Sequence, residues 1–415
     1  MIMARLRDAT LRASLWLIIL TQIFYVLPYA ETIMFYRIGL AIALLMLAHS
    51  LKQQMLTRTE CVVLTGLLVV PVTWFTLQAA FFANRQILST TVVYALFVLS
   101  GFALYRYTTL DYICRIIRVF VVINLILIPV WFFAGSIEYY TPTDPRLDGS
   151  VVMNWHEIYQ KVVVYDEDDG LFPRSAGFTR NPNNLAFLAF IGTVGLTLTK
   201  TSRKSLVAWG ITLCILFFMT QSRGALLSIG LFILCVSLGH IKSLLKKIAL
   251  TFSVVAGGSI LLFLMNAVRV GGDASSGRTE QWRLALRTVD YTGLKFFFGA
   301  GLNQSFEKLS GVLGGLSYGV DSTPITLLIE HGIIGSIILL GCFGATILYA
   351  YYTRSNERNI VDARIFIAFF VVWAIYSVFE TALYRNTFYQ TILTFIILTF
   401  ANRKTFTDKT PMDAD

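Results

Sequence analysis

Twelve apolar segments, most joined by short loops carrying arginine or lysine, constrain this chain more than anything else in its sequence. They lie near 13–30, 33–51, 61–82, 88–105, 115–135, 184–199, 206–221, 225–240, 248–267, 333–352, 364–383 and 387–401. A bilayer core of about 30 Å is crossed by roughly 20 apolar residues in a helix. Composition agrees: 56% of the 415 residues are apolar and 14% charged, against about 45–50% and about 25% in a typical soluble domain. A soluble globular enzyme and a disordered chain are thereby excluded. The pattern predicts an all-α polytopic membrane protein with about 12 transmembrane helices, a single integral membrane domain over 1–415.

Charge then sets sidedness. With the N-terminus in the cytoplasm, 20 basic and 8 acidic residues fall inside, and 14 basic and 16 acidic fall outside or within the membrane. The short loops flanked by several basic residues all land on one face, as the positive-inside rule requires, with both termini cytoplasmic. The formal net charge of +10 is therefore read as a topology signal, and no nucleic-acid partner is expected. Arg5, Arg7 and Arg12 precede the first apolar run without a small-residue cleavage site, which predicts a retained first span. The five cysteines, Cys61, Cys114, Cys214, Cys235 and Cys342, fall in or beside apolar runs without CxxC spacing, and are expected to be buried small hydrophobes.

Two outer loops are too long to be simple connectors: 136–183, which is acidic, and 268–321, which is near neutral. Loops of such length are usually functional. In the second, one helix is expected from Arg278 to about Phe298, with Trp282, Leu286 and Val289 as an apolar stripe and Arg283 and Arg287 on another face.

Several outer arginines adjoin apolar helices. Arg174 and Arg180 lie just before span six, Arg223 sits in the tiny turn between spans seven and eight, and Arg278 opens the loop helix. Guanidinium forks match phosphate oxygens. Arg174 and Arg180 can equally pair with the acidic run 166–169. Arg223 runs against the positive-inside trend, which favours function. Arg278 stands at a helix N-terminus, where its charge is unfavourable. Asn183 reads first as part of a turn and cap for span six, although an amide can also bind sugar hydroxyls.

Glu330 and His331 precede Gly332 and span ten, after a Thr323–Ile329 stretch too short to cross a membrane. A pair of this kind is a functional hypothesis by default; His331, Glu330 and Asp321 are the candidate bases, and a hydrogen-bonded structural pair is the alternative. No P-loop, GxGxxG after a strand, HExxH or metal-ligand cluster occurs. No metal or cofactor is expected.

The pieces Arg174-Ser-Ala-Gly-Phe-Thr-Arg-Asn-Pro-Asn-Asn-Leu-Ala186, Thr220-Gln-Ser-Arg-Gly-Ala-Leu226, Gly277-Arg-Thr-Glu-Gln-Trp282, Gly299-Ala-Gly-Leu-Asn303 and the stretch Asp321 to Gly335 together resemble the superfamily of O-antigen polymerases and O-antigen ligases of the bacterial inner membrane. The resemblance implies a membrane glycosyltransferase fold (GT-C-like) with two long periplasmic loops. It implies a periplasmic, metal-independent reaction that takes a glycan from undecaprenyl diphosphate. Arg223 and Arg278 match arginines thought to hold the donor diphosphate, and Arg174 matches the one preceding the Asn-Pro-Asn segment. Lipid-linked repeat units are the implied substrates, with a chain-length regulator and a flippase as partners. Ligases carry a His several residues before the Glu-x-Gly helix. None stands there in this chain, which points to the Wzy-type polymerase branch. The alternatives are a ligase acting on lipid A–core, a polysaccharide-lipid flippase or transporter, and a noncatalytic envelope partner.

Overall fold

The computed structural model describes residues 2–23, 29–134, 182–198, 202–220, 222–241, 243, 245–251, 278–287, 293–302, 304, 322–355, 360–379, 383–384 and 388–402. Among them every regular element is a helix. They are α1 (Ile2–Ile23), α2 (Tyr29–Gln53), α3 (Arg58–Phe81), α4 (Arg85–Tyr107), α5 (Leu110–Ala134), α6 (Pro182–Leu198), α7 (Arg203–Thr220), α8 (Arg223–His240), α9 (Arg278–Arg287), α10 (Leu294–Phe298), α11 (Thr323–Ser355), α12 (Ile360–Phe379) and α13 (Phe388–Ala401). Eleven of the twelve expected apolar segments overlie these helices; most of 248–267 lies outside the described residues. Helices α3, α4, α7 and α11 are long and apolar enough to cross a bilayer.

The chain divides into two compact units. The first, Met1–Gly39 with Asp111–Gly272, is organised on α6, where every residue from Leu185 to Ile191 is buried. Apolar exclusion does not drive helices together in lipid, so close approach must do so. A side chain at residue 192 would strike Trp209 of α7 and Arg118 of α5, and one at residue 195 would strike Cys114 of α5. Glycine at both positions lets the three helices meet. The Trp209 indole N–H donates to the Thr193 hydroxyl at 3.1 Å.

The second unit, Leu40–Leu110 with Asp273–Asp415, is organised on α13, buried along all 14 of its residues. The Thr391 hydroxyl donates to the Phe97 carbonyl of α4 at 3.1 Å. Helix α3 starts at a capping box, with Thr57 and Glu60 bonding each other's backbone N–H. Glu60 is buried and meets Arg106 of α4 at 2.6 Å. Further along, Pro71 has no N–H to offer the Leu67 carbonyl four residues before it. The helix there is drawn into a π turn over Thr65–Val69, and the Tyr94 hydroxyl donates to that carbonyl at 2.6 Å.

Two expectations are corrected. Of the cysteines only Cys114 is buried; Cys61, Cys214 and Cys235 are exposed and Cys342 is intermediate. An apolar residue on a membrane helix can face lipid and needs no protein cover. The expected helix from Arg278 to Phe298 is not continuous: Gly293 is extended and caps a separate α10. The buried face of α9 is Trp282 with Ala285, one turn apart, packed against Ile325 and Ile329, whereas Leu286 is 37% exposed and Val289 lies outside the described residues.

Candidate functional site: a broken helix and the amide that fastens it

Helix α11 is two helices fused across one residue. Ser322 accepts from the Thr326 N–H at 2.9 Å, and Pro324 sits in the first turn, where a missing N–H costs nothing. The first segment ends at Gly332, whose φ of 64° and ψ of −173° lie outside the helical region. Carbonyls at such an end lack their usual N–H partners, which is tolerable at membrane depth only where protein supplies replacements. The strap following α10 supplies them. Ala300 N–H donates to Ile329 O at 2.9 Å and Gly301 N–H to Glu330 O at 2.7 Å.

Gln78, near the end of α3, completes the junction. Its Nε2 donates to Phe298 O at 2.5 Å and to Glu330 O at 2.9 Å, joining the strap to the end of the first segment. Its Oε1 lies 3.0 Å from His331 Nδ1. An amide nitrogen has two hydrogens, and two carbonyl acceptors use both. Oε1 can only accept, so His331 Nδ1 carries a proton and donates. In a neutral imidazole Nε2 then bears the lone pair. That atom is buried with no hydrogen bond among the described residues, 4.0 Å from Glu330 Oε2. The imidazole stacks on Phe75, with ring centroids 5.0 Å apart. Phe298, the last residue of α10, stacks on Trp74 and leans on Phe81 of α3.

The structure thus brings Glu330 and His331 together and encloses both, with side-chain exposures of 2% and 1%. Trp282 joins the same neighbourhood through α9, which packs on the segment carrying the pair. Arg278 is the first residue of α9 and Arg223 the first of α8; their side chains lie outside what is described. Asn183 is buried in the first turn of α6, one residue after the Pro182 that opens it. Arg174, Arg180 and Asp321 lie outside the described residues, as do the two long loops apart from Pro182, Asn183, α9, α10 and the adjoining strap.

Sequence reasoning missed Gln78. The signal was present, since an amide inside the apolar run Phe75-Thr-Leu-Gln-Ala-Ala80 has to find partners. What no sequence rule supplies is that the partners lie more than two hundred residues away.

Length, apolarity and all-helical architecture make this an α-helical membrane protein. Residues 208–340 match the family model described as O-antigen ligase. The matched stretch runs from α7 into α11 and contains Arg223, Arg278, Trp282, Glu330 and His331; it begins after Arg174, Arg180 and Asn183. The match supports the superfamily of O-antigen polymerases and ligases and does not separate its two branches. No curated protein sequence matches the chain.

Proposed function

We propose that this chain is an O-antigen or related surface-polysaccharide polymerase. It transfers a growing glycan from undecaprenyl diphosphate to a lipid-linked repeat unit at the periplasmic face of the inner membrane. The observation that carries this reading is the family match over 208–340, because that stretch holds two arginines that each begin a helix, Arg223 and Arg278, and the broken helix.

In the reaction, a hydroxyl oxygen of the incoming repeat unit bonds to the donor sugar C1. The bond from C1 to the diphosphate oxygen breaks, and the leaving group takes the electron pair. Arg223, Arg278 and Arg174 stabilise that negative charge as it develops, with Arg180, Asn183 and Trp282 holding the rest of the donor. No metal or cofactor takes part. The hydroxyl proton goes to a carboxylate. Glu330 and His331 are buried, which suits them to holding the helix break. Asp321, adjoining Ser322 where the first segment begins, is the base we assign.

The matched family model, described as O-antigen ligase, takes in both branches and does not decide between them. The stretch 322–329 contains no His, and that favours the polymerase. Deleting the gene and running the lipopolysaccharide on a gel separates them. Core with a single repeat unit and no ladder supports the polymerase. Core alone, with polymer accumulating on undecaprenyl diphosphate, overturns it in favour of the ligase. An unchanged ladder removes the O-antigen role.

A further inference from the structure

Gln78 has no place in the chemistry above, yet its side chain meets more of the junction than any other described there. It is 2% exposed and makes three polar contacts, to Phe298 O, Glu330 O and His331 Nδ1. These belong to two pieces of structure: the last residue of α10, from which the strap leaves, and the end of the first α11 segment, which is met through both a carbonyl and an imidazole. The geometry also leaves no freedom in the assignment of atoms. Turning the amide over would place its oxygen against two carbonyl oxygens and its NH2 against Nδ1, losing both donations to the backbone.

We propose that Gln78 is a positioning residue for the transferase site. Its amide clamps the strap to the broken helix and fixes His331 as the Nδ1–H tautomer, with the bare Nε2 turned toward Glu330. The clamp acts through the segment 322–331. That segment carries Ile325 and Ile329, on which α9 packs through Trp282 and Ala285, and Arg278 begins α9. Loosening the end of the segment shifts the platform beneath α9 and the residue adjoining Asp321. Displacement of about 1 Å at a reacting centre can lower turnover about a hundredfold. The consequence for activity rests on the proposed polymerase reading; the tautomer and the clamp do not.

The test uses the full-length protein reconstituted in lipid bilayers. Nitrogen-15 histidine labelling reports the protonation of each ring nitrogen, and the spectrum of His331→Gln identifies His331 among the four histidines of the chain. The expected wild-type result is a protonated Nδ1 and a bare Nε2. Gln78→Met, similar in shape and without polar atoms, should lose this fixed state. Gln78→Glu keeps an oxygen for Nδ1–H but offers no N–H to the carbonyls. It should keep the tautomer while losing the clamp.

With lipid-linked repeat units isolated from the host as substrate, both variants should lower kcat by about a hundredfold with KM little changed. A wild-type His331 protonated at Nε2 overturns the inference. So does a Gln78→Met protein that retains the tautomer and normal kcat. If Gln78→Met does not accumulate, the wild-type spectrum and Gln78→Glu still decide. Failure of the polymerase reading looks different: the expected tautomer would be found, but neither wild type nor variant would extend chains.

Discussion

Gly299 and Gly332 meet backbone to backbone. A side chain built on Gly332 would collide with the main chain of Phe297 and Gly299, and one built on Gly299 would collide with the main chain of Glu330 and His331. Both also hold positive φ, 74° and 64°. The strap and the break in α11 are therefore one contact, which only the smallest residue permits on either side.

Gly332→Ala and Gly299→Ala should each destabilise the protein. Positive φ with extended ψ, a region essentially confined to glycine, costs an alanine about 1–3 kcal/mol, and the obstruction is main chain, which cannot rotate aside. Gly341, in the second part of the same helix, has nothing within 4 Å of the added carbon. Thermal unfolding in detergent should show both junction variants falling well below wild type while Gly341→Ala does not. Equal midpoints for all three would mean that the junction yields easily.

The Glu60–Arg106 pair gives a second prediction. Its side chains are 2% and 6% exposed, with N···O at 2.6 Å. Arg106 also donates to Gln54 and to the Met55 carbonyl. Removing one partner of a buried pair leaves an uncompensated charge and costs about 3–5 kcal/mol, whereas removing both is often nearly neutral. Arg106→Met should therefore lower stability sharply, and Glu60→Gln with Arg106→Met should recover most of the loss. A double variant as unstable as the single one would show that the contact of the Arg106 guanidinium with the Phe102 ring matters more than its pairing with Glu60.

The helices were legible in the sequence because lipid imposes a simple rule. A run of roughly 20 apolar residues must become a helix to satisfy its own backbone, so eleven expected segments overlie helices found. Which face of a helix is buried was not legible. A lipid-facing surface and a protein-facing one are equally apolar, and so Cys61 and Cys235 are exposed and Leu286 rather than Ala285 was placed in the stripe. At the site, the Glu330–His331 pair was visible as ionisable residues beside an apolar run. Its enclosure was not, because that depends on Gln78 and on Gly299 to Gly301, which join it only in three dimensions.

The seat of α9 yields a third prediction. Ala285 is fully buried against Ile329. Ala285→Phe should lift α9 from the first segment of α11, with an overpacking cost of about 1–3 kcal/mol. If α9 presents Arg278 to the donor, polymer length should collapse while the protein persists in the membrane. Leu286→Ala, on the exposed face, should leave the ladder intact. A normal ladder from Ala285→Phe would separate α9 from the reaction.

The proposed reaction turns most directly on Arg223. By the expected topology it stands in a very short outer turn between α7 and α8, where a basic residue runs against the overall inside bias of positive charge. It also opens α8, at the helix end where a cation is least favoured. Neither membrane insertion nor helix stability calls for an arginine here, so its replacement should not lower the amount of protein. Arg223→Ala should abolish the polysaccharide ladder at unchanged membrane abundance. Arg223→Lys should restore only part of it, because an ammonium retains the charge without the fork that engages two phosphate oxygens. Arg203, exposed at the start of α7 and expected on the opposite side of the membrane, is the matched control, and Arg203→Ala should extend chains normally. Lipopolysaccharide gels read beside immunoblots of the same membranes would decide. A full ladder from Arg223→Ala would withdraw the donor diphosphate from this residue, and with it the charge stabilisation on which the proposed mechanism chiefly relies.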